Sequence, residues 1–302
     1  MGIRNFAFTK AELDKRLPFN TPLLVKEWTK FDVNDWAGNP QTNNFEPLEY
    51  AKLSTRLVEE VLLPKDEPLP DAILIERQRA RSAGSSSVLE YVLRVNMFEA
   101  MLHALIYNRT VAEKGRVGIV STIPSRMANY WKPEGEEKFT MSDTKKHRMN
   151  LVEQWLNDTM YAKKGVRQMV RLDEQRFKLS KEVAATSKAQ FTWTKQVMEQ
   201  ESRYVKQAGD GGKPKIDDLV DSLLHAVSWM EWEQNRMLLK LEMLSGLDTA
   251  LATSDKMFDS HMKSIEFLKR GQKGQKRKKT HDTIDESMEK ASQTVGRVLL
   301  RA

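Results

Sequence analysis

Two short apolar runs bracket a long amphipathic stretch in this chain, and that arrangement narrows the folds open to it. Ala72-Ile73-Leu74-Ile75 is wholly apolar and rich in branched residues, and it follows Pro68 and Pro70. It is predicted to be a buried strand that delivers Glu76 at its C-terminal edge, the rim of a sheet where chemistry has access. Val117-Gly118-Ile119-Val120-Ser121-Thr122, closed by Pro124, has the same character. Between them, Val88 to the neighbourhood of Asn108 has the length and patterning of a helix, with Ser85, Ser86 and Ser87 available to cap its start. Strand, helix, strand implies a sheet with helices packed against it.

The segments upstream fit the same architecture. Ile3 to Phe8 alternates apolar and polar residues, and 21–31 contains a second strand-like run, so the chain is predicted to open with a hairpin. Leu48, Ala51, Leu53, Leu57, Val58 and Val61 then give a helical rhythm that ends before Pro64. The order hairpin, helix, strand, helix, strand predicts an α/β fold built on a mixed sheet. Residues 136–215 read as charged helix and loop ending in a Gly- and Lys-rich linker over 207–215. A helix opening near Ile216 carries the buried stripe Leu219, Leu223, Ala226, Val227 and Met230. The remainder reads as helical, with a basic patch at Lys269, Arg270, Lys273, Lys276, Arg277, Lys278 and Lys279 whose contribution to binding would be salt-sensitive and independent of sequence.

Composition restricts the chemistry. The 302 residues hold 49 basic and 42 acidic side chains, a formal net charge of +7, which favours an anionic partner, nucleic acid foremost. There is no cysteine and there are five histidines. Disulfides, thiolate-bound zinc and thiol catalysis are therefore excluded, and a metal would be held mainly by oxygen, which suits magnesium or manganese. No run approaches the roughly 18 apolar residues of a membrane span, and the N-terminus shows neither a signal peptide nor a clear transit peptide.

Two acidic signals stand out against this basic background. One is Glu76 at the predicted strand edge. The other is Asp217-Asp218-Leu219-Val220-Asp221, in which Asp218 and Asp221 share one helical face and are close enough to share a cation. Either signal alone has a structural explanation: a solvated carboxylate at a strand end, or acids at the positive end of a helix dipole. Arg77, Arg79 and Arg81 follow Glu76 and precede a helix start, a placement suited to gripping phosphate with forked donors, with surface ion pairing as the alternative. Ser85, Ser86, Lys145, Lys146 and Arg148 are further candidates for nucleic-acid contact. His225, one turn beyond Asp221, is either a proton carrier or a packed helix residue.

Taken in order, Gly2 to Phe8, Ile75-Glu76-Arg77-Gln78-Arg79 with Arg81 to Ser86, and Asp217 to Leu224 resemble the fungal mitochondrial cruciform-cutting endonucleases, Holliday-junction resolvases of the RuvC type. The resemblance runs over residues 1–243, with 136–215 as a helical insertion and 244–302 as a helical basic extension. It implies an RNase H-like fold, a mitochondrial homodimer, and magnesium-dependent nicking of opposed strands in four-way DNA junctions. It also implies that Glu76, Asp218 and Asp221 are metal ligands, with Asp217 a cap or supporting group. The family motif has an aspartate immediately before the position of Met1, on the first strand. That residue is not in this sequence, so the expectation is a truncated resolvase or a member that no longer cuts. The alternatives are a non-cleaving module of the same fold that binds structured RNA or assists intron splicing, and a scaffold protein whose charges only solvate it.

Overall fold

A computed structural model describes residues 2–13, 21–38, 46–78, 88–111, 117–133, 140–160, 168–173 and 217–271. Its elements follow the chain as β1 (Phe6–Glu12), β2 (Leu23–Phe31), a short α1 (Val33–Trp36), α2 (Pro47–Leu57), a π-helical turn (Val58–Leu62), β3 (Ala72–Glu76), α3 (Glu90–Thr110), β4 (Gly118–Thr122), α4 (Pro124–Tyr130), α5 (Met141–Met160), β5 (Val170–Leu172), α6 (Asp217–Ser245) and α7 (Leu247–Gly271). The expected α/β order is present. The hairpin lies a few residues later than the alternation suggested, because Ile3 to Asn5 form a bend and turn instead of strand. Of the basic patch, Lys269 and Arg270 fall at the end of α7, while Lys273 to Lys279 and the 207–215 linker lie outside the described residues.

The strands form two ladders. β1, β2 and β5 make one sheet in that order, and β3 pairs with β4 in a separate two-stranded parallel ladder. In the first, contacts between Phe6 and Phe31, Lys10 and Glu27, and Glu12 and Lys26 run in opposite directions along β1 and β2, so the hairpin is antiparallel. β5 joins β2 in parallel, Leu23 opposite Val170 and Val25 opposite Leu172, which makes this sheet mixed. β5 was not expected. Three residues with a buried, exposed, buried pattern carry too little periodicity to show within a charged region.

By contact density the chain divides into two units, one of Met1–Phe8, Trp28–Met127 and Met198–His225, the other of Thr9–Glu27, Ala128–Val197 and Ala226–Ala302. The first has a continuous apolar core. α2 begins with Pro47 at its first turn, where no helical N–H is needed, and buries Tyr50, Leu53, Ser54 and Leu57 at i, i+3, i+4 and i+7. Leu48, expected in that stripe, is 65% exposed, and Tyr50 and Ser54 take the inward positions instead. Ser54 is accommodated because its hydroxyl donates to the Tyr50 carbonyl at 2.7 Å. α3 supplies Phe98, Leu102 and Ile106, and β3 supplies Ile75. Met97, Met101 and Leu105 pack against this core. Phe6 and Phe98 meet edge to face, with ring centroids 6.1 Å apart.

The second unit is organised around aromatics. Trp131 and Trp155 meet at 4.9 Å, and the Trp131 indole N–H donates to the Ser228 hydroxyl of α6 at 2.8 Å. His147 of α5 and His261 of α7 bond the adjacent carbonyls of Trp131 and Tyr130, each at 2.8 Å. α5 opens with a reciprocal cap in which Thr140 and Asp143 bond each other, and these bonds from the Thr140 hydroxyl and N–H hold the Asp143 carboxyl below its usual range. Lys26 lies between Asp173 and Glu12, at 3.0 and 3.3 Å, and both raise its pKa, Asp173 foremost.

Phe98 is fully buried at the centre of the first unit. Phe98→Ala is expected to destabilise the protein by about 3–5 kcal/mol, the usual range for removing a buried aromatic ring, read as a lower urea midpoint with unchanged slope.

Candidate active site

The acidic turn owes its position to β2. Side chains alternate along a strand, so Trp28 and Lys30 share the face opposite to Thr29 and Phe31. Trp28 is fully buried, and its indole Nε1 donates to the Leu219 carbonyl of α6 at 2.9 Å. The Ser222 hydroxyl donates to the same carbonyl at 2.7 Å. Two residues along β2 and one residue back along α6, Lys30 Nζ lies 3.5 Å from Asp218 Oδ2. A strand residue pair thus meets the first turn of a helix twice, once through an indole and once through an ion pair. Leu219, Val220, Leu223 and Leu224 are all buried below it, so this end of α6 is enclosed on more than one stripe.

Glu76 is the last residue of β3, opposite Thr122 of β4. The ladder closes with the Arg77 N–H donating to the Thr122 carbonyl at 2.8 Å. Beyond it, the Gln78 N–H donates to Glu99 Oε2 of α3 at 2.9 Å, and the Gln78 side-chain amide returns to the Glu76 carbonyl at 3.2 Å. Glu99 also faces His103 one turn on at 3.8 Å, and His103 Nε2 lies 3.3 Å from the Ser121 hydroxyl. The backbone leaving Glu76 is therefore fixed by a carboxylate from the crossover helix.

These placements can be compared with the sequence reading. Glu76, Asp217, Asp218 and Asp221 are all half-buried and belong to the same unit, with Asp217 opening α6. Arg77 is exposed. Arg79, Arg81, Ser85 and Ser86 lie outside the described residues. Lys145 and Lys146 are exposed on α5 and Arg148 is half-buried there, all in the other unit. His225 is buried, in keeping with a packed helix residue. The sequence reading missed Lys30 and Glu99. The alternation that places Lys30 beside Trp28 was available in the sequence, whereas Glu99 lies 21 residues from Gln78 and no local pattern marks it.

Among the described residues no three of His, Asp and Glu gather into a group able to hold a metal ion. Magnesium does not require such a group: it is commonly held by one or two carboxylates together with water and substrate phosphate. Asp218 and Asp221, hard oxygen donors one helical turn apart, fit that mode, while Glu76 belongs to the same unit without being gathered with them.

Comparison with known proteins adds to this geometry. Residues 1–239 match the family model described as mitochondrial resolvase Ydc2 / RNA splicing MRS1. The chain is 29% identical over 251 residues to the mitochondrial cruciform cutting endonuclease 1 of Saccharomyces cerevisiae, covering 78% of this chain and 67% of that protein. It is 26% identical over 239 residues to the protein of the same name in Schizosaccharomyces pombe, covering 77% and 76%. Against the crystal structure of the yeast mitochondrial Holliday junction resolvase Ydc2 the TM-score is 0.45, at 22% identity, over 78% of this chain and 77% of that one.

Trp28→Phe keeps a ring in the buried slot but withdraws the donor from the Leu219 carbonyl. A loss of about 1–2 kcal/mol is expected, with faster amide exchange over the first turns of α6 than elsewhere in the unit; uniform exchange would show that the indole does not hold this helix.

Proposed function

The chain belongs to the mitochondrial resolvase Ydc2 / RNA splicing MRS1 family, and from that premise we propose that it is a metal-dependent, structure-selective endonuclease that resolves four-way DNA junctions in mitochondria. The observation that carries this reading is the acidic first turn of α6 held against β2, with Asp218 beside Lys30 and Leu219 bound by Trp28. A turn that only needed acids to suit a helix dipole would have no use for so fixed a position.

Hydrolysis of a phosphodiester requires an attacking water and neutralisation of charge on the phosphate. A bound magnesium or manganese ion supplies both, by lowering the pKa of water and polarising the phosphoryl oxygen. Asp218, Asp221 and Glu76 are the side chains that would hold it. The clamp on α6 keeps the first two carboxylates in one orientation, so little reorganisation is needed when substrate arrives. Glu99 does the same for the segment after Glu76 by fixing the Gln78 amide. Arg77, exposed and next to Glu76 in the chain, offers forked donors to a phosphate oxygen, which positions the backbone without reading its sequence. A junction presents equivalent strands about a two-fold axis, so we propose a two-fold dimer with one site per strand.

A second reading is favoured by the family description itself, which pairs resolvase with RNA splicing. In that case the same basic surface holds structured RNA and the acids do no chemistry.

Glu76→Gln, Asp218→Asn and Asp221→Asn are each expected to slow magnesium-dependent cutting of a labelled four-way junction by roughly 10²–10³-fold, the scale of losing one charge-stabilising contact to a transition state. Junction affinity measured in calcium stays within a few-fold of the unsubstituted protein. Equal or tighter binding to structured RNA with no cutting of the junction would favour the splicing reading.

Arg77→Ala is expected to weaken junction binding and to reduce the slope of log affinity against log salt by roughly one, as removal of a single phosphate contact does. An unchanged slope would exclude Arg77 from the interface.

A further inference from the structure

We infer that Lys30 is the internal counter-ion of the proposed metal site: its ammonium occupies Asp218 when no divalent cation is bound and competes with the cation for that carboxylate. This rests on the reading of Asp218 as a metal ligand, and it adds a residue that the sequence motifs do not contain. Three observations support it. Lys30 Nζ lies 3.5 Å from Asp218 Oδ2. The lysine side chain is only 13% exposed and the aspartate 34%, so the pair is partly withdrawn from water and neither charge is fully solvated. The pairing is imposed by the fold, because Trp28, on the same face of β2, is bound to the residue next to Asp218.

The consequence is electrostatic. Carboxylates gathered for a divalent ion repel one another in its absence, and a nearby ammonium relieves that repulsion. When a cation approaches, the same ammonium opposes it, both as a competitor for Asp218 and as a like charge. Lysine suits this role better than arginine would at the start, since its single point charge sits on a flexible stem and can turn away from the carboxylate without breaking a paired fork. Released from Asp218, it remains beside the phosphate-binding region as a fixed positive charge.

The test is manganese binding to the DNA-free, full-length protein, measured by calorimetry and by loss of the free-ion paramagnetic signal. Lys30→Gln is expected to bind manganese roughly two- to fivefold more tightly, the range in which one partly exposed ion pair can compete. Lys30→Arg is expected to stay near the starting affinity because it keeps the charge. In an Asp218→Asn background, adding Lys30→Gln is expected to give a clearly smaller gain, since the competition for Asp218 is already gone and only the like-charge repulsion is relieved. Lys30→Met, which preserves the alkyl stem in its partly buried slot, substitutes for the glutamine variant if that one folds poorly. Unchanged or weaker manganese affinity in both neutral variants, the same gain in the Asp218→Asn background, or no manganese uptake by the unsubstituted protein would each overturn the inference. If manganese binding follows the expected pattern but no form cuts a junction, the counter-ion stands and the nuclease reading fails.

Discussion

The hydrogen bond from Trp28 to the Leu219 carbonyl joins residues 191 positions apart, and the candidate site has its shape because of it. A buried indole N–H must find an acceptor or lose the free energy of desolvation, so the bond specifies one depth and one rotation of α6 against β2. Apolar packing of Leu219, Leu223 and Leu224 alone would tolerate a helix that slides or turns by part of a residue spacing. Fixing the Leu219 carbonyl also fixes Asp218 one position before it and Asp221 two after. The backbone positions that carry these carboxylates are therefore set by a tryptophan on another element.

How much of this could be read from residues alone depends on how far apart the partners lie. β3, α3 and β4 were legible because each is defined by its own local pattern, and Glu76 at the end of β3 followed from strand length. α2 and the turn after it were legible as a helix that buries Leu53, Leu57, Val58 and Val61, but not at its start. Leu48 is apolar and exposed, while Tyr50 and Ser54 are inside, because the stripe is set by what α2 meets across the core and not by the polarity of single residues. β5 was illegible, since three residues acquire strand character only from the parallel partner Leu23–Val25. Within the site, acids one helical turn apart were readable. Lys30 was not, because a lysine in a half-buried strand looks the same in sequence whether it faces water or a carboxylate far along the chain.

Charge in this protein is distributed against its own average. A chain with a net charge of +7 is suited to a polyanion, yet the first two turns of α6, which are tied to β2, carry Asp217, Asp218 and Asp221. Placing carboxylates where a phosphate backbone is to bind costs affinity unless a cation lies between them. Lys30, with its ammonium 3.5 Å from Asp218 Oδ2, supplies part of that neutralisation from within the fold. A divalent ion supplies more and binds several oxygens at once. Under the proposed reading, phosphate would be drawn in by exposed basic side chains such as Arg77 and met by acids that need a cation between them and the phosphate.

The same reasoning bears on the two activities joined in the family description. A protein that only holds RNA gains nothing from acids fixed in a site facing phosphate, since every contact it needs can be made by arginine, lysine and backbone amides. Acids in that position make binding depend on a cation, and a cation held between carboxylate and phosphate already has the chemistry of hydrolysis available to it. The clamp therefore weighs on the side of cutting.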